Sequence, residues 1–261
     1  MSAPRWAAPR GAQTIPPSPL PRGGGWGEGF QLKLLELGDA ALTLEFGERI
    51  DPDANACVMA ARDALQALNL DGITDIVPTW RSLTVHFDPL RLPHDRLRQA
   101  LLQAASEESA LATRRSATPT IVPVCFGGEF GPDLAEVAAA TGRSEGELIA
   151  ALCSLDLQVA LIGFLPGFPY LGGLPDWLDL PRRATPRTAV PANSFAIAGG
   201  QAAIYPWQSP GGWHLLGRTP LTLFDPANPQ RPARFAPGDV LRIEAISPDE
   251  FTVLRERLRH A

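Results

Sequence analysis

The segment that most constrains the fold is residues 163–220, which contain nine glycines and nine prolines in 58 positions. Proline lacks a backbone N–H and interrupts helices, whereas glycine adopts the backbone angles of tight turns. A helical bundle is therefore excluded for this part of the chain. Short strands joined by turns are predicted instead, as in a closed β-barrel or a β-sandwich.

The chain before this segment has a different pattern, which predicts a smaller α+β domain. Apolar and polar residues alternate on both sides of a turn at Gly38, as in a β-hairpin. Asp51 and Pro52 then form a typical helix start, and two further strands precede a helix at residues 94–105. The order ββαββα predicts a sheet with both helices on one face.

These patterns predict two folded domains joined by a linker. Residues 1–29 contain six prolines and six glycines without apolar periodicity, which is typical of a disordered tail. The expected boundaries are 1–29 for the tail, 30–106 for the α+β domain, 107–119 for the linker, and 120–261 for a barrel domain ending in a helix.

Composition excludes several classes of protein. The formal net charge of −5 lacks the basic footprint of a nucleic-acid or membrane-surface binder. No apolar run is long enough to cross a membrane, and no secretory signal is present, so a cytoplasmic location is expected. The three cysteines form no C-x-x-C pair, and no histidine has metal-ligand spacing, so we expect no metal site.

The glycine- and proline-rich segment is locally basic in an acidic protein, with four arginines against two aspartates. Arginine suits two-pronged contact with a carboxylate or phosphate, so the segment predicts an anion-binding surface. The alternative is that these arginines only hydrogen-bond loop carbonyls. The candidates are Arg182, Arg183, Arg187 and Arg218.

The stretch 163–170 (GFLPGFPY) is too apolar to cradle a phosphate, and the chain carries neither a G-x-x-x-x-G-K-S/T nor a G-x-G-x-x-G motif. No self-contained ATP site is therefore predicted. Phe164, Phe168 and Tyr170 are candidates for an exposed apolar surface that binds a partner. The alternative is that they pack in the core around a rigid turn.

Two further pairs of residues are catalytic candidates. Ser209 and His214 suggest a nucleophile and its base, but they do not match G-x-S-x-G and lack an acidic residue to orient the histidine. His214 is instead expected to hydrogen-bond near an anion, or to be structural. Glu129 and Asp133 suggest a carboxylate pair, although Asp133 near a predicted helix at 132–140 first suggests a charge favoured by the helix dipole.

Several motifs together resemble the allophanate hydrolase subunit 1 family. They are, in chain order, GGEFGPDL at 127–134, GFLPGFPYLGG at 163–173, PRRATPRTAVP at 181–191, AIAGGQAAIYP at 196–206 and SPGGWHLLGRTPLTLF at 209–224. The resemblance implies an α+β fold class: an N-terminal ferredoxin-like sandwich followed by a C-terminal cyclophilin-like β-barrel.

The resemblance also implies a function that depends on other chains. Members of this family pair with a homologous protein, the C subunit, and work with a third protein, the A subunit, in an ATP-dependent 5-oxoprolinase. That enzyme opens 5-oxoproline to L-glutamate, and ATP is needed by the complex. Other members imply two alternatives: a KipI-like inhibitor of a sensor histidine kinase, and the carboxyltransferase part of a urea carboxylase.

A set of residues in the matching motifs is expected to bind a small anionic substrate. Besides the four arginines it comprises Gln201, Tyr205, Gly211, Gly212 and Thr219. The chain departs from the family pattern at Cys153, Asn193, Ala196, Ala202 and Ala203. The loss of a hydroxyl and a histidine that the family carries predicts altered or lost activity. The added Cβ atoms at Ala196 and Ala203 predict a narrower ligand site, because they fill space that glycine leaves open.

Overall fold

The computed structural model describes residues 32–105 and 118–259, apart from the side chain of residue 259. The described residues form two compact units, divided between residues 105 and 118, and each unit has its own hydrophobic core. The predicted tail at 1–29 and most of the predicted linker at 107–119 lie outside the described residues.

The first unit is a four-stranded antiparallel sheet with two helices. Its elements are β1 (Leu32–Glu36), β2 (Ala41–Phe46), α1 (Pro52–Ala67), β3 (Ile73–Pro78), β4 (Ser82–Phe87) and α2 (His94–Ala104). The strand order β1-β2-β4-β3 is that of a ferredoxin-like βαββαβ sheet in which the last strand has moved to the start of the chain. The predicted order ββαββα is confirmed.

The helix cap and the alternating apolar pattern predicted for this unit are both present. The Asp51 carboxylate caps α1 by accepting hydrogen bonds from the N–H groups of Asp53 and Ala54, at 2.7 and 3.3 Å. The apolar residues that alternate along β2 and β4 are buried beneath the helices, while His86 on β4 is exposed. Burial of this single face holds the sheet and helices together.

The second unit contains a closed barrel, as the fold class predicts. Its elements are β5 (Thr120–Phe126), α3 (Leu134–Ala140), α4 (Glu145–Ser154), β6 (Asp156–Ile162), β7 (Pro169–Gly172), β8 (Arg187–Val190), β9 (Ser194–Ala198), β10 (Gln201–Ile204), β11 (Ser209–Gly211), β12 (His214–Arg218), β13 (Val240–Ala245) and α5 (Pro248–Arg259). The barrel runs β10-β7-β6-β13-β5-β12-β9, and β8 and β11 form a separate two-stranded ribbon.

Helices α4 and α5 of the second unit begin at side-chain caps, at Ser144 and Ser247. Ser144 and Glu147 form the predicted capping box before α4, with the Ser144 N–H donating to the Glu147 carboxylate at 2.8 Å. The helix predicted at 132–140 begins instead at Leu134, because Asp133 bonds to a strand of the barrel. No helix within residues 32–105 and 118–259 is long and apolar enough to cross a membrane.

Candidate functional site

The carboxylate of Asp133 is the centre of a buried charge cluster at the start of α3. Asp133 is 3% exposed. Arg187 donates to both carboxylate oxygens, from Nη2 to Oδ1 at 2.7 Å and from Nη1 to Oδ2 at 2.9 Å. Arg183 donates from Nη1 to Oδ1 at 3.0 Å, and the backbone N–H of Leu215 donates to Oδ2 at 2.7 Å. Two-pronged contacts of this kind hold both side chains in one geometry.

Asp133 is ionised in this environment. Burial alone raises the pKa of its carboxyl. The hydrogen bonds from Arg187 and from the Leu215 N–H, together with the charges of Arg187 and Arg183, outweigh that effect and hold the pKa below its usual value. The cluster is therefore a permanent ion-pair network at neutral pH, with Arg183 also reaching the exposed Glu136 at 3.1 Å.

A glycine explains why the loop at 127–133 can reach strand β12. A Cβ on Gly131 would lie 1.9 Å from the backbone oxygen of Leu216, so only glycine fits. The loop is held there by the Gly127 N–H donating to the Leu216 carbonyl at 3.1 Å and the Asp133 N–H donating to the Leu215 carbonyl at 3.0 Å. The side chain of Asp133 does not cap α3. The sequence interpretation of Asp133 as a charge favoured by the helix dipole therefore missed its main partners, which are Arg183, Arg187 and the Leu215 N–H.

The four candidate arginines do not form one set. Arg183 and Arg187 are engaged by Asp133, whereas Arg182 is exposed and its Cζ lies 6.0 Å from the Trp213 ring centroid. Arg218 lies at the far end of β12 from His214, and its Nε donates to the Ala192 carbonyl at 3.2 Å. Burial, with the nearby charge of Arg255, lowers the pKa of Arg218. The carbonyl-binding alternative thus describes Arg218.

His214 lies beside the cluster and is held by the backbone. Its Nε2 is 2.9 Å from the carbonyl oxygen of Pro181, which can only accept, so Nε2 carries the proton. Among the described residues, Nδ1 of His214 and Oγ of Ser209 are buried without a hydrogen-bond partner. These two side chains therefore make no hydrogen bond to each other, and the nucleophile-base interpretation has no geometric support.

An open groove of about 520 Å³ lies between α3 and the chain at 180–185. Its walls include Glu136 and Val137 on the helix side and Arg182, Arg183 and His214 opposite. The groove therefore brings together three residues that the sequence singled out, in a place that the buried Asp133 network holds rigid.

Aromatic side chains pack against the same region. Phe168, Tyr205 and Trp213 are 2%, 2% and 5% exposed, and the Phe168 ring lies 5.0 Å from that of Tyr205 and 6.4 Å from that of Trp213. The half-buried Tyr170 ring is 4.9 Å from Phe168 and 5.9 Å from Trp213. Phe168 therefore packs in the core. Of the three residues considered for a partner surface, only Phe164 is largely exposed, at 60%, and its ring packs edge to face with that of Phe168, with the ring centroids 5.3 Å apart.

The hydroxyl of Tyr205 points at a glycine. A Cβ on Gly211 would lie 2.5 Å from the Tyr205 oxygen, so this close approach requires glycine. Burial, with a smaller effect of Tyr170, raises the pKa of Tyr205 to about 12, against the opposing charges of Arg182 and Arg187. Tyr205 is thus a protonated donor at neutral pH.

The remaining candidate residues from the sequence lie in other parts of the second unit. The Gly212 carbonyl accepts from the Arg183 N–H at 2.8 Å, which fixes the loop under the groove. Thr219 is fully buried, and its hydroxyl accepts from the Leu221 N–H at 3.3 Å, so it is part of a turn. Gln201 begins β10 beside Ala198, and Glu129 is exposed on the loop before α3.

The departures from the family pattern are accommodated locally. Asn193 has φ of +64°, a left-handed conformation that asparagine tolerates better than most residues. Ala196 and Ala203 are buried and pack within the aromatic cluster, and Ala202 lies in the barrel core. Cys153 lies elsewhere, in an apolar groove between α4 and β13.

No metal centre is formed by the part of the chain that the structure describes, where no three His, Cys, Asp or Glu side chains are grouped suitably. The residue that sequence reasoning undervalued is Asp133. Its position in GGEFGPDL, one of the matching motifs, was the available signal.

Comparison with known families decides the relationship. The family described as "Carboxyltransferase domain, subdomain C and D" matches residues 32–235. This chain belongs to that family. The match covers the motifs that carried the resemblance, which is confirmed, and it includes both the Asp133 cluster and the aromatic cluster.

Relatives of this carboxyltransferase-domain protein differ in length. The B subunit of 5-oxoprolinase from Bacillus subtilis is 36% identical over 234 residues, which are 85% of this chain and 95% of the relative. The solved structure of TTHA0988 is 35% identical with a TM-score of 0.68, covering 79% of this chain and 40% of that one. K. lactis urea amidolyase, at 19% identity and a TM-score of 0.64, shares the fold over 87% of this chain and 15% of its own.

Proposed function

We propose that this chain is the B subunit of an ATP-dependent 5-oxoprolinase, acting with a homologous C subunit, and with an A subunit, to convert 5-oxoproline to L-glutamate. The observation that carries the proposal is its similarity to the B subunit of a 5-oxoprolinase over 95% of that relative's length. The groove beside the Asp133 cluster supplies a place for a small polar substrate.

The chemistry explains why several chains are needed. A lactam amide is unreactive, and phosphorylation of its oxygen by ATP creates a leaving group, which requires cationic groups around the phosphoryl oxygens. Two of the three arginines near the groove are already neutralised by Asp133 and Glu136. This chain therefore binds and orients the substrate, and ATP enters at the level of the complex.

The test is reconstitution. The purified chain is mixed with homologues of the A and C subunits from the same cell, and glutamate release from 5-oxoproline is measured with and without ATP. ATP-dependent release supports the proposal. Co-purified proteins that release no more glutamate than the ATP-free control contradict it.

A second candidate function is inhibition of a sensor histidine kinase, as for KipI. The observation that favours it is Phe164, whose exposed ring stands on a left-handed backbone with φ of +66°. A bulky residue held in that conformation is strained, and such strain is concentrated at binding sites. Unchanged kinase autophosphorylation with excess protein contradicts this candidate, and a loss of inhibition in Phe164→Ala supports it.

A third alternative is the carboxyltransferase part of a urea carboxylase. The likeness to K. lactis urea amidolyase concerns the fold and favours no substrate. Replacing 5-oxoproline by urea and bicarbonate in the same reconstitution, with a biotin-carrying chain added, separates this alternative from the first.

A further inference from the structure

Arg182 differs from its neighbours in having no acidic partner. Arg183 and Arg187 share Asp133, and Arg183 also reaches Glu136. Within residues 32–105 and 118–259, no carboxylate oxygen lies within 4.0 Å of the Arg182 guanidinium. Counting these five side chains, three positive charges face two negative ones, so the cluster keeps a net charge of +1. That balance suits a monoanion better than a dianionic phosphate.

Two tyrosine hydroxyls near Arg182 also have no partner. Tyr205 is only 2% exposed, yet neither its hydroxyl nor that of Tyr170 hydrogen-bonds to another residue in the described parts of the chain. Neither hydroxyl is among the buried atoms that lack a partner, so both oxygens reach solvent and can donate to an acceptor from outside the chain. The Tyr170 and Tyr205 rings both pack against Phe168, at 4.9 and 5.0 Å, and the positive charge of Arg182 acts on both tyrosines.

Arg182 and Tyr170 both lie beside the Trp213 ring. The Trp213 ring has the Arg182 guanidinium 6.0 Å and the Tyr170 ring 5.9 Å from its centroid, and the adjoining groove is lined by Arg182 and His214. One cation and two O–H donors bind an acceptor with a single negative charge, and a carboxylate has that chemistry.

We propose that Arg182, Tyr170 and Tyr205 form a carboxylate subsite next to Trp213, which binds the carboxylate of a small organic acid. The identity of that acid as 5-oxoproline rests on the proposed function; the subsite itself does not. The subsite gives each of the unpartnered groups an acceptor, and it assigns to Arg182 the recognition of the substrate's charge.

Steady-state kinetics of the reconstituted complex test the subsite. In Arg182→Gln the KM for 5-oxoproline should rise about tenfold or more with kcat within about twofold, because a charge-assisted contact is lost from both ground and transition states. Tyr205→Phe, which removes only the hydroxyl, should raise KM about fivefold. Arg257→Gln on α5 removes the same charge from an exposed position and should leave KM unchanged. KM values for Arg182→Gln and Tyr205→Phe equal to wild type overturn the subsite.

Direct binding keeps the two proposals distinguishable. A wild-type complex that releases no glutamate contradicts the proposed function, and the subsite is then tested on the full chain by saturation-transfer NMR. The probes are 5-oxoproline and 2-pyrrolidinone, which lacks the carboxylate. Binding of the acid alone, lost in Arg182→Gln, supports the subsite. Equal signals from both probes, or no signal from either, contradict it.

Discussion

Arg187 holds the carboxylate of Asp133 through both terminal nitrogens, at 2.7 and 2.9 Å, across 54 residues of sequence. This contact joins the loop before α3 to the ribbon strand β8. Arg183 adds a second guanidinium at 3.0 Å, and the Leu215 N–H ties the same carboxylate to β12. One buried side chain thus fixes three separate parts of the second unit around the groove.

Removal of the Asp133 charge should destabilise the second unit. Asp133→Asn leaves two guanidinium groups without their carboxylate, which we expect to cost about 3 kcal/mol of the free energy of unfolding. The matched control is Glu136→Gln, which removes an exposed partner of Arg183 and should cost less than about 1 kcal/mol. Urea unfolding followed by circular dichroism measures both. Equal stabilities of the two variants would show that the cluster contributes little.

The ion pairs of Asp133 also predict that the free energy of unfolding depends on pH. The folded state holds the pKa of Asp133 below its ordinary value of 3.8, so the folded state binds the proton less readily than the unfolded chain. The stabilisation is complete above that ordinary value and is lost as the pH falls through the lower, folded one. The difference in unfolding free energy between wild type and Asp133→Asn should therefore be constant from pH 7 to about 5 and shrink below about 4. A difference independent of pH down to about 2 contradicts this account.

Gly211 should tolerate no side chain, whereas its neighbour should. In Gly211→Ala the new Cβ would meet the Tyr205 oxygen at 2.5 Å, so we expect a loss of about 1–3 kcal/mol from displaced packing. In Gly212→Ala the nearest atom is Cγ of Pro186 at 3.6 Å, an ordinary contact. Thermal unfolding of both variants provides the measurement. A Gly211→Ala protein as stable as Gly212→Ala would mean that Tyr205 does not pack as described.

Gly131 tests whether the loop at 127–133 must lie against β12. A Cβ there would overlap the Leu216 carbonyl at 1.9 Å, and neither backbone can yield easily. Gly131→Ala should lose at least about 3 kcal/mol or fail to accumulate as folded protein. Gly146→Ala in α4, with no atom within 4 Å of the new Cβ, should gain about 0.5–1 kcal/mol from helix propensity. Comparable stability of the two variants contradicts the close approach.

The sequence predicted local structure well where local signals act. Asp51 with Pro52, and Ser144 with Glu147, mark helix starts through contacts within three residues, and both are present. Alternating apolar residues predicted the sheet of the first unit. The density of glycine and proline predicted short strands in a barrel or a sandwich, and the structure contains the barrel. The helix start predicted at residue 132 was wrong because a tertiary contact of Asp133 with β12 overrides the local pattern.

The site was harder to predict because its contacts join residues far apart in sequence. The arginines were identified from composition, but only the fold separates Arg183 and Arg187, which Asp133 holds, from the unpartnered Arg182. The burial of Phe168 likewise depends on Tyr205 and Trp213, which follow it by 37 and 45 residues. Neither result follows from spacing, because each depends on which strands become neighbours.

An omission experiment on the proposed complex tests the role of this chain. Glutamate release from 5-oxoproline and ATP is measured with homologues of the A and C subunits in the presence and absence of this chain. We expect release only when this chain is present, and we expect Asp133→Asn to reduce it strongly where Glu136→Gln does not. Equal release without this chain would contradict the claim that its groove holds the substrate.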